Sequence, residues 1–596
     1  MKLKQKYHPL AIWLGALVII AGTLLFFESD QLWKLQEKNL FLWSALFLKE
    51  QLIVPGGLLT WVGTWFMQFL YFPWLGVLLL CLWWLLLMTL IKRTFQIPDR
   101  WSILLLIPVA ILLLTNMGLG YWIYILKLRG HFFVTTLGTT AIVALLWAFR
   151  CLPDKYHLRP IFIFSTASLG YPLMGIYGLA AALLMAVWSW RLSVSRTAAI
   201  ICSCVAILSI AVVPLCCYRF IYYQTNFANL LWAELPLFYT TEEYHTYYIP
   251  YYLLALFFVI LAVTYKSDSK LSTIHYKLSI INSLIALLLI GSVYTFWMKD
   301  ENFHRELTMQ HRIAKLDWMG VLEEAAKQKD EPTRAIVMMR NLALSRLGRQ
   351  GDDMYLYKNG SKAYAAPFGM RLMMVVGPLM YYQYGLLNYC NRLCMEMLVE
   401  FGARVEDYQL LANCALLEGD KPLARKYFGI LNQTLFHRDW AQRTEKEREP
   451  ITHMLHYDDM LGGDEGFTER TLMQQLARST YAGDPVFLEQ CLLATLWTKD
   501  IGQFWYHFKE YAKLHPQGPI PRYYQEAAYL YGKIEGRQEV ERMPFDMGIK
   551  ENLSRFMTTA SGYNSQDMEV VREALYPYFG DTYYFDYYVM NKLAEY

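Results

Sequence analysis

The chain has 596 residues, 55% of them hydrophobic and 16% aromatic, with a formal net charge of +4. So small a net charge gives no footprint for nucleic acid, and none is expected as a partner. The total hides a division, because residues 1–298 carry 20 Lys+Arg and 10 Asp+Glu, while 299–596 carry 35 and 41. The first half is sparse enough in charge for lipid; the second is too charged for it, yet holds enough Leu, Met and Tyr to bury a core. The expected fold class is all-α: a polytopic transmembrane helical bundle over 1–298, then a soluble, helical-repeat domain over 299–596.

In chain order, MKLKQKYHPL precedes an apolar run, Leu10–Phe27, that is long for a signal peptide and has no small-residue cleavage pattern before Glu28-Ser29-Asp30. It reads as an uncleaved first span. Further spans are expected at Trp74–Ile91, stopped by Lys92-Arg93, at Trp101–Met117 and at Phe132–Phe149. The stretch Ile161–Trp190 is long for one helix and is interrupted by GYPLMG, Gly170–Gly175. Helix breakers at membrane depth are tolerated where protein shields the backbone or a cavity is lined. Beyond it come Ala198–Cys217, Ile249–Tyr265 and Leu278–Met298, each near the length of roughly 20 residues that a span needs.

Charge bias orients the chain. With 161–190 taken as a hairpin or re-entrant pair, the N-terminus, 92–100, 150–160, 191–197 and 266–277 share one face holding 14 basic and 3 acidic residues. The opposite face, from 28–72, 118–131 and 218–248, holds 6 and 7. By the positive-inside rule the N-terminus is cytoplasmic, and the last span delivers the second half to the extracytoplasmic, periplasmic side of an inner membrane.

The outer segment 28–72 is apolar and aromatic but broken at Pro55-Gly56-Gly57, which fits two amphipathic helices lying in the interface, or else one long kinked span. The second outer loop, Tyr218–Tyr248, is rich in aromatics and carries Arg219, Glu234, Glu242, Glu243 and His245. Such a loop lines a carbohydrate or headgroup site, or forms an interfacial belt.

After Glu301 the periodicity is helical. Arg340–Asp352 ends in Gly348 and Gly351; Asp407–Leu431 holds two helices around Gly419-Asp420-Lys421-Pro422; Leu488–Leu514 and Tyr523–Gly536 continue the pattern. Cys390 and Cys394 share a helix face and read as core residues. No HExxH, GxSxG, GxGxxG or Walker pattern occurs. His453, His456, Asp458 and Asp459 read as a solvated helix end in preference to a metal cluster, so no metal and no cofactor is expected.

The candidate chemistry sits at the outer membrane edge. Glu28 and Asp30, directly after the first span, are placed to act as a general base toward an acceptor, with Glu37 and Glu50 in the same loop. Their alternative role is to cap the next helix. The outer-face cations Lys127, Arg129, His131 and Arg219 are suited to a phosphate, and Glu234 lies in the same loop as Arg219.

The helix–turn–helix units resemble degenerate tetratricopeptide repeats, whose stacked pairs bind proteins. The topology, with an acidic residue after the first span, a long first outer loop and an extracytoplasmic tail, resembles the GT-C class of membrane glycosyltransferases. That resemblance implies a lipid-linked sugar transferase with a polyprenyl-linked donor, Glu28 or Asp30 on the acceptor side, and Arg129, His131, Arg219 and Glu234 in the substrate site. Neither carboxylate stands in an Asp-Glu pair, as that class would have it. Separately, Pro55-Gly56-Gly57, Gln68-Phe69, Pro73–Gly76, Asn341–Leu344 and Met354–Tyr357 resemble segments of an uncharacterised family of bacterial membrane proteins with a helical tail. The alternative function is a non-enzymatic scaffold that anchors in the membrane and recruits an extracytoplasmic protein through its tail.

Overall fold

The computed structural model describes residues 9–153, 157–193, 195–222, 225–238, 244–265, 275–447, 469–480, 483–563 and 567–590. Lys2, Lys4, Lys6, Lys155, Glu242, Glu243, Lys266, Lys270 and the group His453, His456, Asp458 and Asp459 lie outside them, as does the side chain of Lys277. Among the described residues every regular element is helical, so the chain is all-α, with apolar helices followed by a further helical part. They form two compact units. The first comprises Met1–Lys299 with Leu398–Tyr408 and Phe428–Gln442, and the second comprises Asp300–Met397, Gln409–Tyr427 and Arg443–Tyr596.

The first unit opens with α1 (Pro9–Phe27), α2 (Ser29–Glu37), α3 (Ala45–Gln51), α4 (Gly57–Met67) and α5 (Pro73–Phe95). Pro73 occupies the first turn of α5, where its missing N–H costs nothing, and Lys92 and Arg93 complement the carbonyl end. A 3-10 turn, Asp99–Leu105, runs into α6 (Leu106–Met117), followed by α7 (Trp122–Ile125) and α8 (His131–Cys151). Then come α9 (Leu158–Met174), α10 (Ile176–Leu192), α11 (Arg196–Phe220), α12 (Ile249–Thr264) and α13 (His275–Phe296). Among the described residues six stretches are long and apolar enough to cross a membrane: Pro9–Phe27, Pro73–Phe95, Asp99–Met117, His131–Cys151, Arg196–Phe220 and His245–Thr264. They fit a multi-pass membrane protein.

The interrupted stretch at 161–190 is a helical hairpin. Helices α9 and α10 pack on each other, and each has 17 residues. At 1.5 Å per residue that is about 26 Å of rise, slightly short of a bilayer core. Gly175 turns between them at φ +57, and the backbones of Gly170 and Gly178 touch so closely that a Cβ on Gly178 would strike the Gly170 main chain. The polar groups freed by the break find protein partners. Gly56 N–H donates to the Pro172 carbonyl at 2.9 Å, and Ile176 N–H to the Ala233 carbonyl at 3.1 Å.

The segment 28–72 differs from the expectation of two interfacial helices. It makes three, and α4 is packed against α8 and α9, with Leu59, Thr60, Gly63, Thr64 and Met67 buried. Its apolar side is used by protein, because Gly63 lets the α8 turn at Gly130 and Val134 approach. Outside the bundle, α3 keeps Leu46 exposed.

In the second unit the expected helix ends fall at left-handed residues. Arg334–Arg346 is followed by Gly348 at φ +65 and Val405–Leu417 by Gly419 at φ +81, whereas Gly351 lies inside the short helix Gln350–Asp353; the stretch Leu488–Leu514 is divided at Lys499, at φ +54, which the sequence did not mark. Ile501–Leu514 starts behind Asp500, whose carboxylate accepts from Gln503 N–H. The core is tyrosine-rich: Tyr523, Tyr524, Tyr531 and Tyr583 are fully buried, and the Tyr531 and Tyr583 hydroxyls meet at 2.5 Å. Arg334 grips Glu469 through Nε–Oε2 at 2.7 Å and Nη2–Oε1 at 2.5 Å. Cys390 and Cys394 are buried with their sulfurs 4.0 Å apart.

Candidate functional site: a cavity at Arg129

A cavity of about 320 Å³ opens within the first unit. Its polar lining is Asn39, Glu50, Gln51, Thr64, Arg129 and Tyr408; Leu40, Phe47, Ile53 and Leu398 supply the apolar wall, with Gly402 and Ala403. A cation and a carboxylate therefore line one open cavity beside apolar side chains, which is the make-up of a small-molecule site.

Arg129 is positioned by backbone rather than by a long side-chain network. It precedes Gly130, which turns at φ +66 to start α8, and a Cβ there would lie 2.6 Å from Thr64 N. The Gly130 N–H donates to Asn39 Oδ1 at 2.8 Å, and Asn39 is itself fixed by donating from Nδ2 to the Leu35 carbonyl at 2.7 Å. On the far side the guanidinium lies over Gly402, at φ +91, where a Cβ would come within 2.6 Å of Nη2. Only glycine permits that approach.

Two carboxylates act electrostatically on Arg129, those of Glu234 and Glu50. Glu234 accepts from Thr60 Oγ1 at 2.6 Å and sits at φ +77, an uncommon backbone for glutamate. Its side chain fills the space over Gly56 and Gly175. The Pro-Gly-Gly break, the α9–α10 turn and the second outer loop thus meet at one carboxylate. Burial pushes the Glu234 carboxyl up to about 8, against the opposing effects of the Thr60 hydrogen bond and Arg129.

The other sequence candidates lie elsewhere. Glu28 is 1% exposed, makes no side-chain cap on α2, and accepts from the Trp297 indole N–H at 2.5 Å. Asp30 is half-buried in the first turn of α2. His131 is buried, its Nε2 donating to the Thr115 carbonyl at 3.1 Å. Arg219 is exposed in the last turn of α11. Of the six candidates, Arg129 and Glu234 act on each other but only Arg129 lines the cavity; Glu28, Asp30, His131, Arg219 and Glu234 are not among its lining residues.

Behind the cavity wall lies a buried charge cluster. Glu406 holds Lys34 Nζ at 2.5 Å through Oε2 and Lys38 Nζ at 2.6 Å through Oε1, and Lys34 is 3.9 Å from Glu37. Burial would raise the Glu406 carboxyl, but Lys34, Lys38 and Arg404 reverse that and hold it well below the usual carboxylate range. Nearby, Gln36 Nε2 donates to His437 Nε2 at 2.8 Å, as burial pushes that imidazole down to about 4 and leaves it a neutral acceptor. Asn39, Thr60, Thr64, Gly402 and Tyr408 escaped sequence reasoning. The Arg-Gly step before α8 was a local signal for a positioned arginine, whereas the approach of Gly402 had none.

These features fit an all-α, multi-pass membrane protein with membrane-length helices and an open cavity that one guanidinium lines. The chain belongs to the family of unknown function DUF6057, which it matches over residues 4–591. No curated protein and no solved structure matches it.

Proposed function

We propose that the chain is a multi-pass inner-membrane transferase whose cavity receives the phosphate-bearing head of a lipid-linked sugar donor at Arg129. The observation that carries this reading is the cavity itself, where a guanidinium and the Glu50 carboxylate share a space with an apolar wall. Guanidinium geometry suits a phosphate, and a carboxylate within the same space suits an acceptor hydroxyl as general base. In this reading the base is Glu50, with Glu234 tuning Arg129, and the role leaves Glu28, whose carboxylate is engaged by Trp297. The charge asymmetry of the sequence supports a cytoplasmic N-terminus and a periplasmic tail. The GT-C resemblance is one of topology and supplies the reaction class.

The test is the envelope glycan and glycolipid profile of cells complemented with wild type, Arg129→Ala or Glu50→Gln. Both variants should accumulate normally and lose a product, with Arg129→Lys retaining part of it. Unchanged profiles for both would overturn the reading.

A second reading, a scaffold that recruits an extracytoplasmic protein through a tetratricopeptide-like tail, has one observation in its favour. The helices Met547–Ala560 and Met568–Phe579 leave Met547, Met557, Met568, Val570 and Tyr578 exposed. A protein that co-purifies with the full chain and is lost on Met547→Asp with Tyr578→Asp would support it.

A further inference from the structure

Two of the chain segments that line the cavity also build the charge cluster behind it. In the first, Asn39 and Leu40 face the cavity while Lys34, Glu37 and Lys38 join the cluster; in the second, Leu398, Gly402, Ala403 and Tyr408 face the cavity while Arg404, Glu406 and Asp407 join the cluster. The lysines are taken by Glu406. Asp407 is left over: it is 2% exposed, and its Oδ2 has no hydrogen-bond partner among the described residues. A carboxylate oxygen so placed is expensive to keep ionised, and a proton is the cheapest remedy.

We propose that Asp407 is a proton-binding site that latches the cavity wall, holding segment 398–408 closed when protonated and loosening it when the proton leaves. The groups that face Asp407 are Glu406, Arg404, Lys38 and Lys34, with Glu37 across the cluster; Glu400 adjoins Arg404, and the Tyr124 ring lies 4.9 Å from the Lys38 ammonium. Burial and the Glu406 charge raise the Asp407 carboxyl to about 7, against Arg404, Lys38 and Lys34, and burial raises Glu37 to about 8. Losing the Asp407 proton sets a second negative charge beside Glu406 inside the cluster, with no hydrogen bond to its Oδ2 among the described residues to absorb it. The strain falls on the residues that carry Gly402 and its contact with Arg129. As a control on ligand access, this rests on reading the cavity as the binding site.

The experiment uses the full chain in detergent and no ligand, so it stands or falls apart from that reading. Infrared difference spectra between about pH 6 and about pH 9 should show loss of a protonated-carboxyl band, which shifts with isotope-labelled aspartate and is absent from Asp407→Asn. Over the same range, amide exchange of 398–408, corrected for intrinsic rate, should speed up about tenfold in wild type and stay flat in Asp407→Asn, whose amide mimics the protonated acid. If Asp407→Asn does not accumulate, the labelled spectrum of Asp586→Asn decides, because burial pushes the Asp586 carboxyl up to about 6 and its removal leaves the Asp407 band. Absence of an aspartate carboxyl band, or equal acceleration in Asp407→Asn, would overturn the proposal.

Discussion

The indole nitrogen of Trp297 donates to the Glu28 carboxylate at 2.5 Å, tying the end of α13 to the end of α1 across 269 residues of sequence. A carboxylate that is 1% exposed and bonded to an indole acts as a fastener, which is why the base in the proposed reaction is sought at Glu50. Trp297→Phe removes this charge-assisted hydrogen bond to the buried carboxylate. The expected cost is about 1–3 kcal/mol, read as a lowered unfolding temperature in detergent. An unchanged temperature would show that the bond contributes nothing.

Glu406 holds two buried lysines, and removing its charge strands both. Glu406→Gln should destabilise the chain by about 3–5 kcal/mol, the range for breaking a buried pair from one side. Because the Glu406 carboxyl is held below its ordinary value of 4.5, the stability it provides is present above that value and is lost as pH falls through the depressed one. Wild type should therefore show an acid-induced loss that Glu406→Gln lacks; parallel pH profiles would refute this.

Gly402 combines a left-handed backbone with a guanidinium against its missing Cβ. Gly402→Ala should cost about 1–3 kcal/mol in backbone strain and displace Arg129 as well. The check is a paired measurement of stability and of product formation, in which product falls further than the folded fraction. A fall no greater than the loss of folded protein would mean that Gly402 serves packing alone.

Glu234 gives the opposite pH sign to Glu406. Its folded carboxyl, raised from 4.5 to about 8, binds a proton more tightly than the unfolded one, so stability declines as pH rises between those values and levels off above. Glu234→Gln should flatten that decline, as measured by unfolding midpoints across the window. Thr60→Val, which removes the donor that favours the ionised form, should carry the decline on to higher pH. A pH profile unaffected by either substitution would sink the assignment.

Most of the architecture was legible from residue order. Runs such as Pro73–Phe95 announce themselves because lipid demands about 20 apolar residues with cations at the edge, and helix ends such as Gly348 follow from local backbone preference. These signals live within one turn or one span, so they survive without knowledge of neighbours. Arg129 and Glu234 were reachable for the same reason, as polar residues in short connections between apolar helices.

What pairs with them was decided by the tertiary structure. Pro55-Gly56-Gly57 reads as a break between surface helices, yet Gly56 is where Glu234 lodges and where the Pro172 carbonyl finds its donor. Nothing in the sequence links Lys34 and Lys38 to Glu406, yet packing joins all three. The sequence by itself determined that this protein is helical and divided between an apolar and a charged half. Only the tertiary structure set Gly402 against Arg129, because close approach of two backbone segments about 270 residues apart depends on shape summed over the whole unit, which no local pattern encodes.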